Sequence, residues 1–139
     1  MNELKFETGL VTYALNGVCE VTFNPTDNGF AERLFNAFDD LEKKHDGWKT
    51  KVEKMTDKRE IFTFMRERDA EMREIIDGLF CAPVCDACFG GMSVYALADG
   101  LPVWVNLFLA VMDKMDTAFA REQKMTNEKI RKYTQKYHK

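Results

Sequence analysis

The stretch that decides the fold is Cys81-Ala82-Pro83-Val84-Cys85-Asp86-Ala87-Cys88-Phe89-Gly90-Gly91. It holds three of the four cysteines, and it separates a long charged amphipathic region from the most apolar run of the chain. Pro83 can begin a short helix that places Cys85 and Cys88 on one face, and the glycine pair can end that helix. Free cysteines are among the most frequently buried residue types. We therefore interpret residues 81–100 as a packed corner between the amphipathic helices and a buried helix.

The same cysteines raise the alternative of a cysteine-ligated metal site. The spacing of Cys81, Cys85 and Cys88 is similar to the three-cysteine motif of radical-SAM enzymes, which holds an iron–sulfur cluster. That motif carries an aromatic residue where this chain has Ala87, and it belongs to a barrel for which this chain is too short. A zinc site needs four ligands, and the other candidates are distant single residues, namely Cys19, His45 and His138. A zinc or iron–sulfur protein is therefore the alternative, and the leading interpretation assigns no cofactor.

Chain length and composition limit the class of protein. With 139 residues, 45% of them apolar and 31% charged, the chain is expected to form a single domain over residues 1–139. Its longest apolar stretch, Leu101 to Met112, is far shorter than the ~20 residues that cross a bilayer. The N-terminus has neither the basic region nor the apolar region of a signal peptide. We therefore expect a cytoplasmic protein with reduced cysteines and no membrane partner.

A β-hairpin is predicted at the N-terminus, over residues 1–24. Asn16-Gly17 is the strongest short hairpin signal, and it separates two runs of β-forming residues, 4–15 and 18–23. Odd-numbered positions in the second run, including Cys19, are apolar and are predicted to face the core.

Two amphipathic helices are predicted over residues 27–80. Their apolar residues recur at alternating intervals of four and three, from Leu34 to Met55 and from Ile61 to Leu79, as in coiled-coil packing. Each helix thus has an apolar stripe, or seam, that must pack against another element. The two helices can pack against each other, against a third helix or against another chain.

The polar residues of these helices are assigned structural roles. Thr26 or Asp27 is the expected N-cap of the first helix, and the second helix is expected to start near Thr56-Asp57. His45 falls within the first seam and is interpreted as a partly exposed packing residue. The charges from Arg66 to Glu74 are interpreted as a solvated face rather than as catalytic carboxylates.

A buried helix is predicted over residues 102–124. Pro102 suits the first position of a helix, and the residues from Val103 to Phe119 are apolar on nearly every side. A basic tail follows over residues 125–139. Together these elements predict an α+β fold that is mostly α, with the N-terminal β-hairpin followed by a helical bundle of three to four helices.

Charge is distributed unevenly along the chain. The net charge is −3, but residues 121–139 carry +5, which leaves −8 on the preceding 120 residues. Basic tails attract acidic partners, so a small nucleic-acid-binding regulator that uses this tail is a second alternative. The tail lacks a groove-reading motif, and nucleic acid is therefore not the expected partner.

Motifs of the common enzyme classes are absent from the sequence. There is no phosphate-binding loop, no dinucleotide fingerprint, no HExxH zinc motif and no GxSxG nucleophile motif. Neither histidine lies near a candidate Ser or Cys nucleophile in the sequence. We therefore expect that the protein is not an enzyme.

Several segments of the chain form a recognisable order. They are Asn16-Gly17-Val18, Val21 to Asp27, Phe30 to Leu34, Met72 to Asp77, Val84 to Gly90, Arg121-Glu122-Gln123 and Ile130 to Thr134. In this order they resemble a family of small tail proteins from phages and prophages of Gram-positive bacteria. These proteins are encoded between the major tail protein and the tape-measure protein, and they are described as tail assembly chaperones or as uncharacterised tail proteins.

The resemblance implies a non-enzymatic protein of the bacterial host cytoplasm that binds the phage tape-measure and major tail proteins during assembly. The apolar seams of the two amphipathic helices are also compatible with a homo-oligomer. The family has no motif that assigns roles to single residues, so the candidate contacts come from the basic tail. They are Arg121, Lys124, Lys129, Arg131, Lys132, Tyr133 and Tyr137.

Overall fold

The computed structural model describes residues 1–137, which form two short β-hairpins and six helices. The elements are β1 (Val11–Leu15), β2 (Cys19–Phe23), α1 (Asn28–Glu53), α2 (Lys58–Phe80), α3 (Val84–Phe89), β3 (Leu97–Ala98), β4 (Leu101–Pro102), α4 (Val103–Lys114), α5 (Ala118–Thr126) and α6 (Glu128–Tyr137). The predicted class, α+β and mostly α with an N-terminal hairpin, is confirmed. The described residues form more helices than the three to four predicted, because the apolar run is divided and the basic tail is helical.

The N-terminal hairpin is shorter than the predicted 1–24. Strands β1 and β2 pair antiparallel around Asn16 and Gly17, whose φ angles of 50° and 72° are those that an Asn-Gly turn favours. Val21 and Phe23 are buried, as the alternation predicts. Residues 1–10 lie outside both strands and are exposed, so the prediction of a strand from residue 4 is wrong.

Helices α1 and α2 form an antiparallel pair with the predicted starts. The Asp27 carboxylate accepts a hydrogen bond from the Gly29 N–H at 2.8 Å, and the Asp57 carboxylate accepts one from the Arg59 N–H at the same distance. Helix α1 runs through Gly47 without a break. Both helices bury apolar residues at the end of the pair nearest the hairpin, where the Phe30 ring lies against the Phe80 ring.

The cysteine corner has the predicted conformation. Cys81 ends α2 in the left-handed region (φ 53°), Pro83 precedes the short helix α3, and Gly90 ends it with a φ of 56°. Val84 and Cys85 are fully buried in the corner.

A second hairpin, which the sequence analysis did not predict, follows the corner. Its two-residue strands β3 and β4 are joined by Asp99 and Gly100, both with positive φ. Pro102 takes the position before the first turn of α4 rather than the first helical position.

The predicted buried helix over 102–124 is in fact two helices. Helix α4 ends at Lys114, and α5 begins at Ala118 after an extended connection. The connection is fixed because the Asp116 N–H donates to the Pro25 carbonyl at 2.8 Å and the Thr117 hydroxyl caps α5. Phe119, which was predicted to be buried, is 48% exposed and touches Phe35 only at its edge.

Helix α4 forms the centre of the core, as its apolar composition predicts. Trp104 and Phe108 are completely buried and pack against each other and against Phe38 of α1. The same core includes residues from β2, α2, α3, α5 and α6. No helix within residues 1–137 combines the length and the apolar character needed to cross a membrane.

Candidate functional site

The three clustered cysteines do not converge on a common point that suits a metal. Cys85 is buried, and its thiol donates weakly to the Arg73 carbonyl, whereas Cys81 is exposed and its thiol donates weakly to the Gly78 carbonyl. Burial, followed by the nearby Asp77 carboxylate, raises the pKa of the Cys85 thiol, which disfavours the thiolate that metal binding requires. Within residues 1–137, no three His, Cys, Asp or Glu side chains are grouped closely enough to hold a metal ion. The arrangement therefore gives no support to the cysteine-ligated alternative.

Part of the charged face of α2 is not solvated, contrary to the interpretation of residues 66–74. The Arg73 guanidinium pairs with Asp69 at 2.9 Å and with Asp86 at 3.0 Å, and it donates to the carbonyls of Gly90 and Met92. Only 16% of the Arg73 side chain is exposed. These bonds fix the segment after α3 against α2, and the charges have a structural role.

The outer half of the α1–α2 pair is covered less completely than the inner half. Residues 42–71 include no fully buried side chain, although this half contains much of both predicted seams. The guanidinium of Arg68 lies over the rings of Trp48 and Phe64, at 5.6 and 5.1 Å from their centroids. The two helices are thus each other's main partner here, and half-buried apolar side chains remain along the pair.

Up to Tyr137, the basic C-terminal region is folded onto the body of the chain instead of extending from it. Lys124 donates to the carbonyls of Asp113 and Met115 at the end of α4, both at 2.7 Å. Lys129 pairs with Glu42 of α1 at 2.6 Å, and the buried Ile130 anchors α6 in the core.

The remaining candidate contacts of the tail are more exposed. Arg121 pairs with Asp116 at 2.7 Å, and Lys132 pairs with Glu128 within α6 at 3.1 Å. Arg131 is exposed and has no ion pair with any residue in the described part of the chain. Most of the predicted positive patch is therefore neutralised locally, which weakens the case for nucleic-acid binding.

The structure brings several of the predicted residues together in one groove, which we call the α6 groove. It has a volume of about 680 Å³ and lies between α6, the Asp99-Gly100 turn and the first turns of α4. Its lining includes Leu101, Asn106, Lys129, Lys132, Tyr133, Lys136 and Tyr137. The α6 residues recur at intervals of three and four, so they share one helical face. Arg121, Lys124 and Arg131 do not line this groove.

Asp99 holds the end of α6 at one side of the groove. Its carboxylate accepts hydrogen bonds from the Lys136 ammonium and from the Tyr137 hydroxyl, the latter at 2.8 Å. The hydrogen bond from Lys136, followed by that from Tyr137, lowers the pKa of Asp99. Tyr133 lies behind this contact, with its ring 4.5 Å from that of Tyr137, and burial raises its pKa.

A second groove of about 470 Å³ lies on the other side of the Asp99–Tyr137 contact. It shares Asp99, Asn106, Tyr133 and Tyr137 with the α6 groove, and its floor is apolar. The floor consists of Leu15, Phe89, Val103, Leu107 and Ala110. The contact at the end of α6 therefore divides one longer depression into two.

Sequence reasoning missed two contributors to this site, Asp99 and Asn106. Asn106 donates to the Ala98 carbonyl at 2.8 Å and so fixes the turn against α4. Asp99-Gly100 is a strong hairpin signal that could have been used, whereas nothing in the sequence places it beside α6.

Comparison with known proteins adds no family to this description. The chain matches no protein-family model, and no curated protein or solved structure is significantly similar to it.

Proposed function

We propose that the protein is a tail assembly chaperone of a phage or prophage, which binds the tape-measure and tail-tube proteins and catalyses no reaction. The observation that carries the proposal is the α6 groove, because it combines the apolar side chain of Leu101, two tyrosines and exposed lysines on one helical face. The resemblance of the chain to small tail proteins supplies the identity of the partners.

The chemistry of the groove favours a helical segment with apolar and acidic residues. Tyr133 and Leu101 offer an apolar and aromatic surface, which is the usual lining of grooves that receive an amphipathic helix. Lys132 and its partner Glu128 are about 70% exposed, and exposed ion pairs contribute little to stability. Lys132 can therefore exchange this partner for a carboxylate of the bound segment at small cost.

The outer half of the α1–α2 pair is the second surface that supports a binding role. Its half-buried seam residues continue beyond the core and give a long apolar edge, on which a helix of a tape-measure protein can pack.

Co-expression with the tape-measure protein encoded beside this gene tests the proposal. We expect the tape-measure protein to become soluble and to co-purify with the wild-type chain. Lys132→Glu reverses a charge inside the α6 groove and should reduce co-purification. Arg131→Glu is the matched control, because it makes the same change on an exposed position of α6 outside the groove. A tape-measure protein that stays insoluble, with no co-purification, contradicts the proposal.

A further inference from the structure

The first ten residues form an exposed segment with the pattern of a β-strand, which we call the N-terminal arm. Leu4 and Phe6 are 90% and 81% exposed, and they alternate with the charged residues Glu3, Lys5 and Glu7. Strict alternation of apolar and charged residues is typical of a strand with one buried face. No hydrogen bond joins residues 1–7 to the rest of the described chain. The arm thus has the sequence pattern of a β-strand, but it pairs with no strand in the described part of the chain.

The base of the arm is held against Asn24, the residue that follows β2. The Asn24 side chain, just beyond β2, donates to the Thr8 carbonyl at 2.9 Å. Gly9 has a φ of +71°, and a Cβ atom there would lie 2.6 Å from Asn24 Nδ2. A larger residue at position 9 would strain the backbone and displace the Asn24 amide. Asn24 thus holds the base of the arm at the β2 side of the hairpin, and no hydrogen bond joins residues 1–7 to β1 of the same chain.

Strand β1 has an unpaired edge beside an apolar groove. It pairs only with β2 among the described elements, and β2 is in turn contacted by α3. A groove of about 130 Å³ lies between this hairpin and α4. Its lining is Tyr13, Ala14, Leu15, Val21, Phe23, Ala110, Val111 and Lys114. Exposed strand edges are templates for pairing with another chain.

We propose that the N-terminal arm of one copy of this protein adds as a third strand to the free edge of β1 in a second copy. Leu4 and Phe6 then point towards the groove between the hairpin and α4, and the charged residues of the arm point to solvent. The six residues 3–8 span about 20 Å when extended, which is enough to cover the five residues of β1. Addition of the strand pairs backbone groups of both copies and buries the two exposed apolar side chains.

Light scattering on the purified chain, in a concentration series that reaches roughly millimolar, tests self-association. We expect the wild-type chain to associate and a chain without residues 1–8 to be monomeric. Leu4→Asp/Phe6→Asp should weaken self-association at least about tenfold, because two apolar side chains are no longer buried. The matched control is Glu3→Asp/Lys5→Asp. It also introduces two aspartates, but on the solvent face of the arm, and it should leave association unchanged. A wild-type chain that is monomeric throughout, or one whose association survives loss of the arm, overturns the proposal.

Complementation of two defective variants separates strand donation from unspecific association. Ala110→Lys blocks the groove but leaves the arm intact, whereas Leu4→Asp/Phe6→Asp spoils the arm but leaves the groove intact. Each variant alone should be monomeric, with a far-UV circular dichroism spectrum like that of the wild type. Their mixture should associate, since one intact arm then meets one intact groove. A mixture of folded variants that remains monomeric overturns the proposal. Because these measurements use this chain alone, their result is independent of whether the protein binds a tape-measure protein.

Discussion

At the scale of single residues, Arg73 shows how a charge within a polar helix face can hold the fold together. Its guanidinium joins α2 to Asp86 and to the carbonyls that follow α3, and most of its side chain is covered. Arg73→Ala leaves Asp69 and two carbonyls without this donor, so we expect a loss of about 2–4 kcal/mol in the free energy of unfolding. Urea denaturation measures this loss. Arg66→Ala, on the exposed part of the same helix, should change the free energy of unfolding by less than about 0.5 kcal/mol.

We expect His45 to make the stability of the fold depend on pH near neutrality. Its Nδ1 accepts a hydrogen bond from the Trp104 indole at 3.4 Å, and burial lowers the pKa of its imidazole below 6.5. The unfolded chain then binds a proton more readily than the folded chain, so the contribution of His45 is present above pH ~6.5 and is lost as the pH falls. We expect the unfolding free energy to decrease between pH 7 and pH 5, roughly, and to decrease less in His45→Gln. Urea midpoints at both pH values measure this difference, and equal decreases in the two proteins contradict the role assigned to His45.

At the scale of elements, the features that could be predicted from the sequence are those that depend on residues close together in the chain. The hairpin turn at Asn16-Gly17, the caps Asp27 and Asp57, and the short helix after Pro83 all depend on neighbouring residues. The end of α4 was missed because apolar residues continue past it. The chain turns there because the Asp116 N–H donates a hydrogen bond to the carbonyl of Pro25, 91 positions earlier in the sequence. A local sequence pattern contains no sign of such a distant contact.

The position of α6 depends on its contact with the Asp99-Gly100 turn. Asp99→Asn keeps a residue that tolerates the positive φ of this turn and removes the charge that Lys136 and Tyr137 bind. We expect faster amide hydrogen exchange in the last turns of α6 and unchanged exchange in α4. Glu122→Gln, an exposed change on α5, is the control. Equal exchange in the wild type and Asp99→Asn contradicts the proposed anchoring of α6.

At the scale of the whole molecule, the core draws residues from the first hairpin and from all six described helices. We therefore expect one cooperative unfolding transition, as the prediction of a single domain requires. Tryptophan fluorescence, to which the buried Trp104 and the half-buried Trp48 contribute, and the far-UV circular dichroism signal should give the same midpoint in urea. Separate midpoints would falsify the prediction that hairpin and helices unfold as one unit.

The candidate site could be predicted only in part from the sequence. The tail residues Lys129, Lys132, Tyr133 and Tyr137 were identified from charge and spacing, and the structure places them together in the α6 groove. Their surroundings were not predictable, because Asp99 and Glu42 reach the tail only through the packing of α6 on the body of the chain. The same packing places basic side chains of the tail in ion pairs with carboxylates, and these side chains are then less available to bind nucleic acid.

We propose that the α6 groove binds a segment of the tape-measure protein. Isothermal titration of purified tape-measure fragments into the wild-type chain, Lys132→Glu and Arg131→Glu tests it most directly. We expect one fragment with apolar and acidic residues to bind the wild type and Arg131→Glu with similar affinity, and to bind Lys132→Glu at least about tenfold more weakly. Binding that is the same for all three proteins, or no binding by any fragment, contradicts the claim.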